Sequence, residues 1–340
     1  MLKLPHDNGY LYLYFYFIIS HLISQFVDQP TFQSIEKAAE RISNYTNKTP
    51  ALSSSSINNM VGGELFFKCE NFQKVGAFKF RGGCNAVFSL SDEQATKGVA
   101  THSSGNHAQA IALAAKLRDI PAYIVMPENA PKVKVAAVKE YGAEITFSDS
   151  NQKSREETLR RVTEKTGAHF IHPYDNNDVI AGQGTAAMEL ISQVSDLDII
   201  ITPVGGGGLL SGTAIATKHL KPKIQVIGAE PELADDAYRS FKKGERIPLE
   251  STTTIADGLR TSLSDRTFSI IHSLVDDIVT VPEESIIRDM RRVWERMKII
   301  IEPSCAVPVS AVFDKKIDVA GKKVGIIITG GNVDLSNLPW

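Results

Sequence analysis

The stretch Ile199-Ile200-Ile201-Thr202-Pro203-Val204-Gly205-Gly206-Gly207-Gly208 decides the fold of this chain. An apolar, β-branched run that ends in glycines is typical of a buried parallel strand whose carboxyl end opens into a ligand crevice. Four consecutive glycines let backbone N–H groups converge on an anion, usually a phosphate. The pattern from Leu209 to His219 is helical, so its amino terminus adds partial positive charge toward that anion. The stretch therefore predicts a phosphate cradle between a strand and a helix.

The rival interpretation of the glycine cluster is a dinucleotide site, and the spacing excludes it. The motif G-x-G-x-x-G would require a glycine where Leu210 or Ser211 stands. A merely flexible loop is also disfavoured, because the cluster lies between a strand pattern and a helix pattern.

Two further motifs indicate which chemistry the cradle serves. A second β-branched run, Val324 to Ile328, ends in Thr329-Gly330-Gly331-Asn332, and Lys79 lies inside Gly76-Ala77-Phe78-Lys79-Phe80-Arg81-Gly82. A lysine, a phosphate cradle and a second polar turn together indicate pyridoxal phosphate, held by the lysine as a Schiff base. Such a lysine needs a pKa lowered from about 10.4, which burial and cationic neighbours bring about.

Composition limits the class of protein. The chain has 340 residues, of which 43% are hydrophobic, enough for one large or two modest domains. Its formal net charge is −2 and no basic stripe is visible, which argues against nucleic acid as a partner. The three cysteines, Cys69, Cys84 and Cys305, lack the paired spacing of a disulfide framework or a zinc site. Free thiols predict a reducing compartment, hence a cytoplasmic location.

Residues 1–31 form an N-terminal extension that differs from the rest. The segment from Leu11 to Ile19 is dense in aromatics, but its apolar core is shorter than the about 20 residues of a membrane span. No small-x-small cleavage site of a signal peptide follows it. We expect an extension without a role in the fold, the alternative being an anchor or a signal.

From Phe32 onward, strand and helix patterns alternate. Glu64 to Lys68 and Ala122 to Met126 are typical of strands, while Ala108 to Leu117 is helical in period. Such alternation predicts an open α/β sheet with right-handed crossovers.

From about Phe32 to its end, the chain resembles the fold-type II pyridoxal phosphate enzymes, specifically the serine racemase and serine/threonine dehydratase group. Besides the motifs above, the matching segments are Thr101 to His107 and Ala181 to Thr185, all in family order. The resemblance implies an α/β, tryptophan synthase β-like fold with two open, twisted, mostly parallel sheets and helices on both faces. It implies a large domain from residues 32–94 and 171–340, a small domain from residues 95–170, and an active site in the cleft between them.

The resemblance also implies which residues bind the cofactor. Lys79 resembles the Schiff-base lysine, Phe78 the residue that covers the ring, and Gly205, Gly206, Gly207 and Gly208 the phosphate cradle. Asn106 resembles the residue that hydrogen-bonds the phenolic oxygen of the ring. Thr329 is expected to face the pyridine nitrogen. A neutral hydroxyl cannot hold this nitrogen protonated as an aspartate would, so the ring is a weaker electron sink.

Ser104 decides the subclass. Racemisation removes a proton on one face of the α-carbon and returns one on the other, so Lys79 needs a second acid/base across the ring. Serine racemases carry Ser-Ser-Gly-Asn-His here, many threonine dehydratases carry alanine in place of Ser104, and 3-hydroxyaspartate dehydratases also carry similar sequences. The residues expected to bind the substrate are Ser103, Ser104, Asn106, His107 and Arg155.

Further family sites are implied away from the ring. Glu230, the Ala234 carbonyl and Asp236 match a divalent-metal site, and few protein ligands with several waters suit Mg²⁺, or else Ca²⁺ or Mn²⁺. Racemases of this group bind ATP at a homodimer interface, and the residues at matching positions are Gln109, Tyr141, Lys298 and Asn332. Cys305, in Glu302-Pro303-Ser304-Cys305, departs from the small residue usual in the family.

The expected function is therefore racemisation of serine, accompanied by β-elimination of serine to pyruvate and ammonia. One alternative is a dedicated dehydratase of L-threonine, L-serine or 3-hydroxyaspartate. The other is a catalytically idle binding protein that keeps the fold.

Overall fold

The computed structural model describes residues 29–340, apart from Ser104 and Pro131. Residues 1–28 of the predicted extension and the predicted catalytic Ser104 lie outside the described residues. None of the helices in the described residues combines the length and the apolar composition of a membrane-spanning segment.

The strands form two sheets. A six-stranded sheet has the order β1-β2-β10-β7-β8-β9, and a four-stranded sheet has the order β5-β4-β3-β6. All neighbouring strands run parallel except β1 and β2. The strands are β1 (Ala51–Leu52), β2 (Glu64–Cys69), β3 (Val99–His102), β4 (Ala122–Pro127), β5 (Glu144–Ser148), β6 (His169–Phe170), β7 (Ile199–Pro203), β8 (Gln225–Pro231), β9 (Asp277–Val281) and β10 (Lys323–Ile328).

Helices connect most of the strands, as parallel pairing requires. The α-helices are α1 (Phe32–Ile42), α2 (Ser55–Val61), α3 (Lys79–Phe88), α4 (Asp92–Thr96), α5 (Asn106–Arg118), α6 (Lys132–Glu140), α7 (Gln152–Thr166), α8 (Asn177–Gln193), α9 (Gly208–Leu220), α10 (Asp236–Lys243), α11 (Asp265–Leu274), α12 (Glu283–Met297) and α13 (Pro303–Phe313). The predicted fold class, two mostly parallel sheets with helices, is confirmed.

The central strands are apolar because both of their faces are covered. Every residue of β7 is buried, and so is every residue of β10 after Lys323. On one side Ile199 and Ile326 belong to a core with α12 and α13, and on the other Ile200 and Ile327 pack with α1, α8 and α9. Continuous burial of this kind explains why the sequence shows unbroken apolar runs instead of alternation.

Strand pairing places the motifs next to each other. In the parallel register of β7 and β10, Ile201 is opposite Ile326, so the carboxyl ends of both strands lie at one sheet edge. The Gly205 to Gly208 loop follows β7 at this edge, and Thr329 follows β10. In the smaller sheet, β3 ends at His102, directly before the Ser103 loop.

Candidate active site

Backbone contacts bring the lysine motif to the turn after β10. The Phe78 N–H donates to the Thr329 carbonyl at 2.9 Å, and Ala77 pairs with Gly330 in an antiparallel bridge. Lys79, the first residue of α3, therefore lies beside the turn that contains Thr329. The three motifs that the sequence analysis connected meet at one edge of the large sheet.

The glycine loop leaves no room for a side chain at Gly206 or Gly207. A Cβ atom on Gly206 would lie 2.3 Å from the Tyr174 ring, and one on Gly207 would lie 2.7 Å from Leu263. Gly207 also has a φ of 83°, which favours glycine, and it caps α9. Within the described part of the chain, no hydrogen bond uses the backbone N–H of Gly205, Gly206, Gly207 or Gly208, although all four residues are buried. Four unpaired buried N–H groups at a helix start are the donors that an anion site requires.

Lys79 is partly buried and lies at the same sheet edge. Its Nζ donates to the Pro173 carbonyl at 2.9 Å and lies 5.2 Å from the centre of the Phe78 ring. Burial lowers the pKa of Lys79 to about 8, and the Glu302 carboxylate opposes this shift. A lysine with this pKa has an appreciable neutral fraction near neutral pH, which a nucleophilic amine requires.

A buried ion network fixes the helix that carries Lys79. The Arg81 guanidinium donates to Glu70 at 2.7 Å and to Glu189 at 2.8 Å, and Lys68 Nζ donates to Glu189 at 2.6 Å. Lys68, Glu70 and Arg81 are fully buried, so each charge depends on its partners. The network ties the first turn of α3 to β2 and α8, which restricts where Lys79 can lie.

Asn106 lies in a chain of polar contacts with Glu302 and Asn332. Its Nδ2 donates to the two Glu302 carboxylate oxygens at 3.0 and 3.2 Å, and its Oδ1 accepts from Asn332 Nδ2 at 2.9 Å. Glu302 is 4% exposed, and burial together with Asp257 raises its pKa. These contacts fix the Asn106 side chain, whose predicted role toward the ring oxygen stays a prediction.

The predicted substrate residues lie around the end of β3, on both sides of Ser104. Ser103 Oγ accepts from the Gly105 N–H at 3.3 Å, which shapes the loop before α5. The buried His107 faces the Ile171 carbonyl at 3.3 Å, and burial followed by the Lys79 charge lowers its pKa well below the usual range. Arg155 is half-buried at the start of α7, and its charge contributes to the lowered pKa of His102.

The predicted metal ligands lie together at the end of β8. Glu230 is fully buried and accepts from the N–H groups of Ala237 and Tyr238 at 3.2 and 2.8 Å. Burial and the nearby Asp236 raise the pKa of Glu230 well above its usual range. Asp236 is also buried, and burial raises its pKa to about 7, a shift that the nearby Leu263 amide partly opposes. Neither carboxylate oxygen of Asp236 has a hydrogen bond of good geometry. Two close, buried carboxylates are a pair that a cation would stabilise.

The Glu230 and Asp236 pair would need the Ala234 carbonyl and waters to complete a metal site. In residues 29–340, with 104 and 131 left aside, no three His, Cys, Asp or Glu side chains are grouped to hold a metal. The buried Ala234 lies between Glu230 and Asp236 in the sequence, at the end of the 3-10 helix Glu232–Ala234. A site with so few protein ligands would suit magnesium.

The four residues assigned to a nucleotide site are not joined to one another by hydrogen bonds or ion pairs in the described part of the chain. Gln109 is buried in α5, Tyr141 follows α6, and Lys298 follows α12, where its Nζ donates to the Glu295 carbonyl at 2.7 Å. Asn332 contacts the Val75 carbonyl and Asn106. Their predicted common role stays a prediction.

Two residues that contact the site were not predicted from the sequence. The Tyr174 ring covers Gly206, and Glu302 holds Asn106. Glu302 had a sequence signal, because the Pro303 that follows it is typical of the first residue of a helix. Tyr174 follows Pro173 in an irregular loop and had no such signal.

Comparison with known proteins agrees with this geometry. A family model described as "Pyridoxal-phosphate dependent enzyme" matches residues 42–330. The chain is 52% identical to serine racemase of Dictyostelium discoideum, covering 91% of this chain and 96% of that protein. It is 49% identical to beta-hydroxyaspartate dehydratase of Paracoccus denitrificans, covering 92% of this chain and 99% of that protein. The solved structure of maize serine racemase superposes with a TM-score of 0.88 at 50% identity, covering 90% of this chain and 95% of that chain.

Proposed function

The chain belongs to the pyridoxal-phosphate dependent enzymes of fold type II, in the serine racemase and serine/threonine dehydratase group, and from this premise we propose that it interconverts L- and D-serine. We propose that it also eliminates water from serine, after which hydrolysis gives pyruvate and ammonia. The observation that carries the proposal is the meeting of Lys79, four unpaired glycine amides and Thr329 at one sheet edge. The Ser-Ser-Gly-Asn-His sequence that contains Ser104 favours racemisation.

The residues present fit pyridoxal phosphate. Gly205 to Gly208 would hold the phosphate, since their free N–H groups lie at the start of α9. Lys79 would bind the aldehyde carbon, Phe78 would cover the ring, and Thr329 would meet the pyridine nitrogen. Asn106 Nδ2 has two hydrogens, so it can serve Glu302 and also the phenolic oxygen. When bound, the cofactor supplies an electron sink that stabilises the negative charge left when the substrate α-carbon loses its proton.

Lys79 and Ser104 divide the proton transfers between two faces. The Lys79 amine has a pKa of about 8, so near neutral pH it can accept the α-proton of one enantiomer. The Ser104 hydroxyl returns a proton from the opposite side, which gives the other enantiomer. If the β-hydroxyl leaves before the proton returns, the outcome is elimination.

The loop before α5 binds the substrate carboxylate. The amino terminus of α5 favours negative charge, and Ser103 and Asn106 lie at that terminus. Arg155 of α7 supplies a half-buried cation whose charge reaches His102 at the end of β3. Lys134 Nζ of α6 donates to Asp257 at 2.6 Å. The same Nζ is near Gly105 of the loop, because a Cβ added to Gly105 would lie 3.8 Å from it. This ion pair would hold the smaller, 95–170 part of the chain against the rest and help exclude water.

A dehydratase of 3-hydroxyaspartate is the second candidate. It is favoured by the similarity to the Paracoccus denitrificans dehydratase, which extends over almost the whole of that protein. Both candidates use Lys79 and the same cradle, and they differ in the substrate side chain and in what Ser104 does.

Replacing Gly206 by alanine is expected to weaken pyridoxal phosphate binding about tenfold or more. The added methyl group would overlap the Tyr174 ring at 2.3 Å, and overpacking of this kind costs about 1–3 kcal/mol. Fluorescence titration of the apo-protein with the cofactor measures the change. Because the three nearest atoms belong to the Tyr174 ring, the double variant Gly206→Ala/Tyr174→Ala should regain part of the affinity. Unchanged binding by Gly206→Ala would contradict this account of the cradle.

We also propose that Mg²⁺ binds at Glu230, the Ala234 carbonyl and Asp236. A Mg²⁺ concentration 100 times its dissociation constant is expected to add about 2.7 kcal/mol to the free energy of unfolding. Asp236→Asn should remove this response and leave the metal-free protein at least as stable, because the buried, unpaired charge is gone. The neighbouring Asp235→Asn is the matched control, since Asp235 pairs with Arg239 at 2.8 Å instead. Thermal unfolding with and without Mg²⁺ measures this stabilisation. An equal stabilisation of wild type and Asp236→Asn by Mg²⁺ would rule out the site.

The proposal extends to a cytoplasmic homodimer that ATP activates. Its support is the match of Gln109, Tyr141, Lys298 and Asn332 to the family's nucleotide positions. The hydrogen bond from Asn332 to Asn106 would connect such a site with the cofactor.

Deuterium incorporation tests the proposed function. Pure protein is incubated with pyridoxal phosphate and L-serine in deuterium oxide, and the products are analysed by mass spectrometry. We expect D-serine with deuterium at the α-carbon, because the returned proton comes from a hydroxyl that exchanges with solvent, together with pyruvate. Pyruvate without D-serine would contradict the proposed racemisation, and the absence of both products would contradict the proposed function as a whole.

A further inference from the structure

Cys305 makes an unusual set of contacts beside the predicted cofactor site. Its Sγ lies 3.1 Å from Thr329 Oγ1, 2.8 Å from the Gly330 carbonyl oxygen and 2.9 Å from the Gly330 nitrogen. The side chain is fully buried in the first turn of α13, three residues after Glu302. The residue that departs from the family pattern therefore touches the hydroxyl that is expected to face the ring nitrogen.

The thiol remains a neutral hydrogen-bonding group. Burial and the Glu302 carboxylate raise the pKa of Cys305 far above its usual range. The Gly330 N–H donates to the sulfur, which leaves the one S–H proton for either the Gly330 carbonyl or the Thr329 hydroxyl. Since the Gly330 carbonyl also accepts from the Glu302 N–H at 3.0 Å, the S–H proton can go to Thr329 without leaving that carbonyl unpaired.

The Thr329 hydroxyl then has its own proton left to donate. Thr329 is 3% exposed, and in the described part of the chain the Cys305 thiol is the only hydrogen-bond partner of its Oγ1. A hydroxyl can accept one bond while it donates another. When it accepts from the thiol, its donor capacity is free for a group that is not part of the protein.

We propose that Cys305 is a positioning residue, whose S–H donates to Thr329 Oγ1 and so directs the Thr329 hydroxyl proton to the unprotonated ring nitrogen of the cofactor. This inference rests on the proposed function, since it needs pyridoxal phosphate in the cleft. A hydroxyl that accepts a hydrogen bond is a stronger donor, so the thiol strengthens the contact to the nitrogen. A neutral thiol, unlike a carboxylate, does not favour a protonated ring.

The S–H stretching band tests this assignment without any measurement of activity. The infrared difference spectrum of wild type minus Cys305→Ala isolates this thiol from Cys69 and Cys84. Adding cofactor is expected to move the band to lower frequency, because the bond to Thr329 strengthens. In Thr329→Val the cofactor should no longer move it. The difference between wild-type spectra with and without cofactor needs no variant, and the absence of any S–H shift in it would overturn the proposal.

A double-mutant cycle on cofactor affinity separates positioning from packing. Cys305→Ala is expected to weaken pyridoxal phosphate binding about three- to tenfold, as one neutral hydrogen bond does. In the Thr329→Val background the same change should cost less than about twofold, because the hydroxyl on which it acts is absent. Cys305→Ser restores a donor and should recover most of the affinity.

The outcomes keep this inference apart from the proposed function. Equal losses from Cys305→Ala in both backgrounds would mean a packing role and would overturn the inference alone, provided that the wild type binds the cofactor. A wild type that does not bind pyridoxal phosphate would overturn the proposed function and this inference together.

Discussion

Replacing Lys79 by alanine is expected to remove the visible absorbance band of the lysine-bound cofactor and to lower both serine activities by about 10²–10⁴-fold or more. The lower bound is the contribution of one positioned acid/base, and loss of covalent attachment adds to it. The pKa of about 8 that burial gives Lys79 suits it to both tasks. Absorbance spectra and coupled assays of the purified variant measure the two effects.

The control for this variant is Lys48→Ala. Lys48 is an exposed lysine of the same part of the chain, and the change should leave spectrum and activity unaltered. Thermal unfolding checks that Lys79→Ala keeps the fold, as expected because the ion network of Arg81 stays intact. An unchanged visible band in Lys79→Ala would mean that another amine holds the cofactor.

Replacing Ser104 by alanine should separate the two reactions. Racemisation is expected to fall by about 10²–10⁴-fold, since the face opposite Lys79 loses its acid/base. Elimination from L-serine needs only the Lys79 face and should be largely retained. Chiral chromatography for D-serine and coupled reduction of pyruvate give the ratio directly, and elimination serves as the internal control for a folded, loaded enzyme. If Ser104→Ala still racemises serine, the assignment of Ser104 is wrong.

The sequence was sufficient for the parts of the site that depend on local pattern. The β-branched runs before Gly205 and Thr329 have the composition of strands that are buried on both faces. In the structure, these runs form β7 and β10, which are buried on both faces. A glycine in the left-handed region at the start of a helix is also a local requirement, and Gly207 meets it. The fold class and the position of the glycine loop could therefore be predicted.

Contacts between distant segments could not be predicted in this way. Asn106 and Glu302 are 196 positions apart, and Asn106 and Asn332 are 226 apart. Asn106 follows β3 of the smaller sheet and Asn332 follows β10 of the larger one, so their meeting depends on how the two sheets pack together, which no local period encodes. The same reason explains why Tyr174 over Gly206 and Cys305 against Thr329 became evident only in the structure.

Racemisation of serine with pyridoxal phosphate is the activity that we assign to this protein. The most direct test supplies pure protein, cofactor and Mg²⁺ with L-serine, L-threonine or 3-hydroxyaspartate separately, and measures D-serine by chiral chromatography and keto acids by coupled reduction. We expect appreciable D-serine from L-serine, with pyruvate as a companion product. Keto acid without any D-serine would contradict this assignment and make the protein a dehydratase, in which Ser104 only binds substrate.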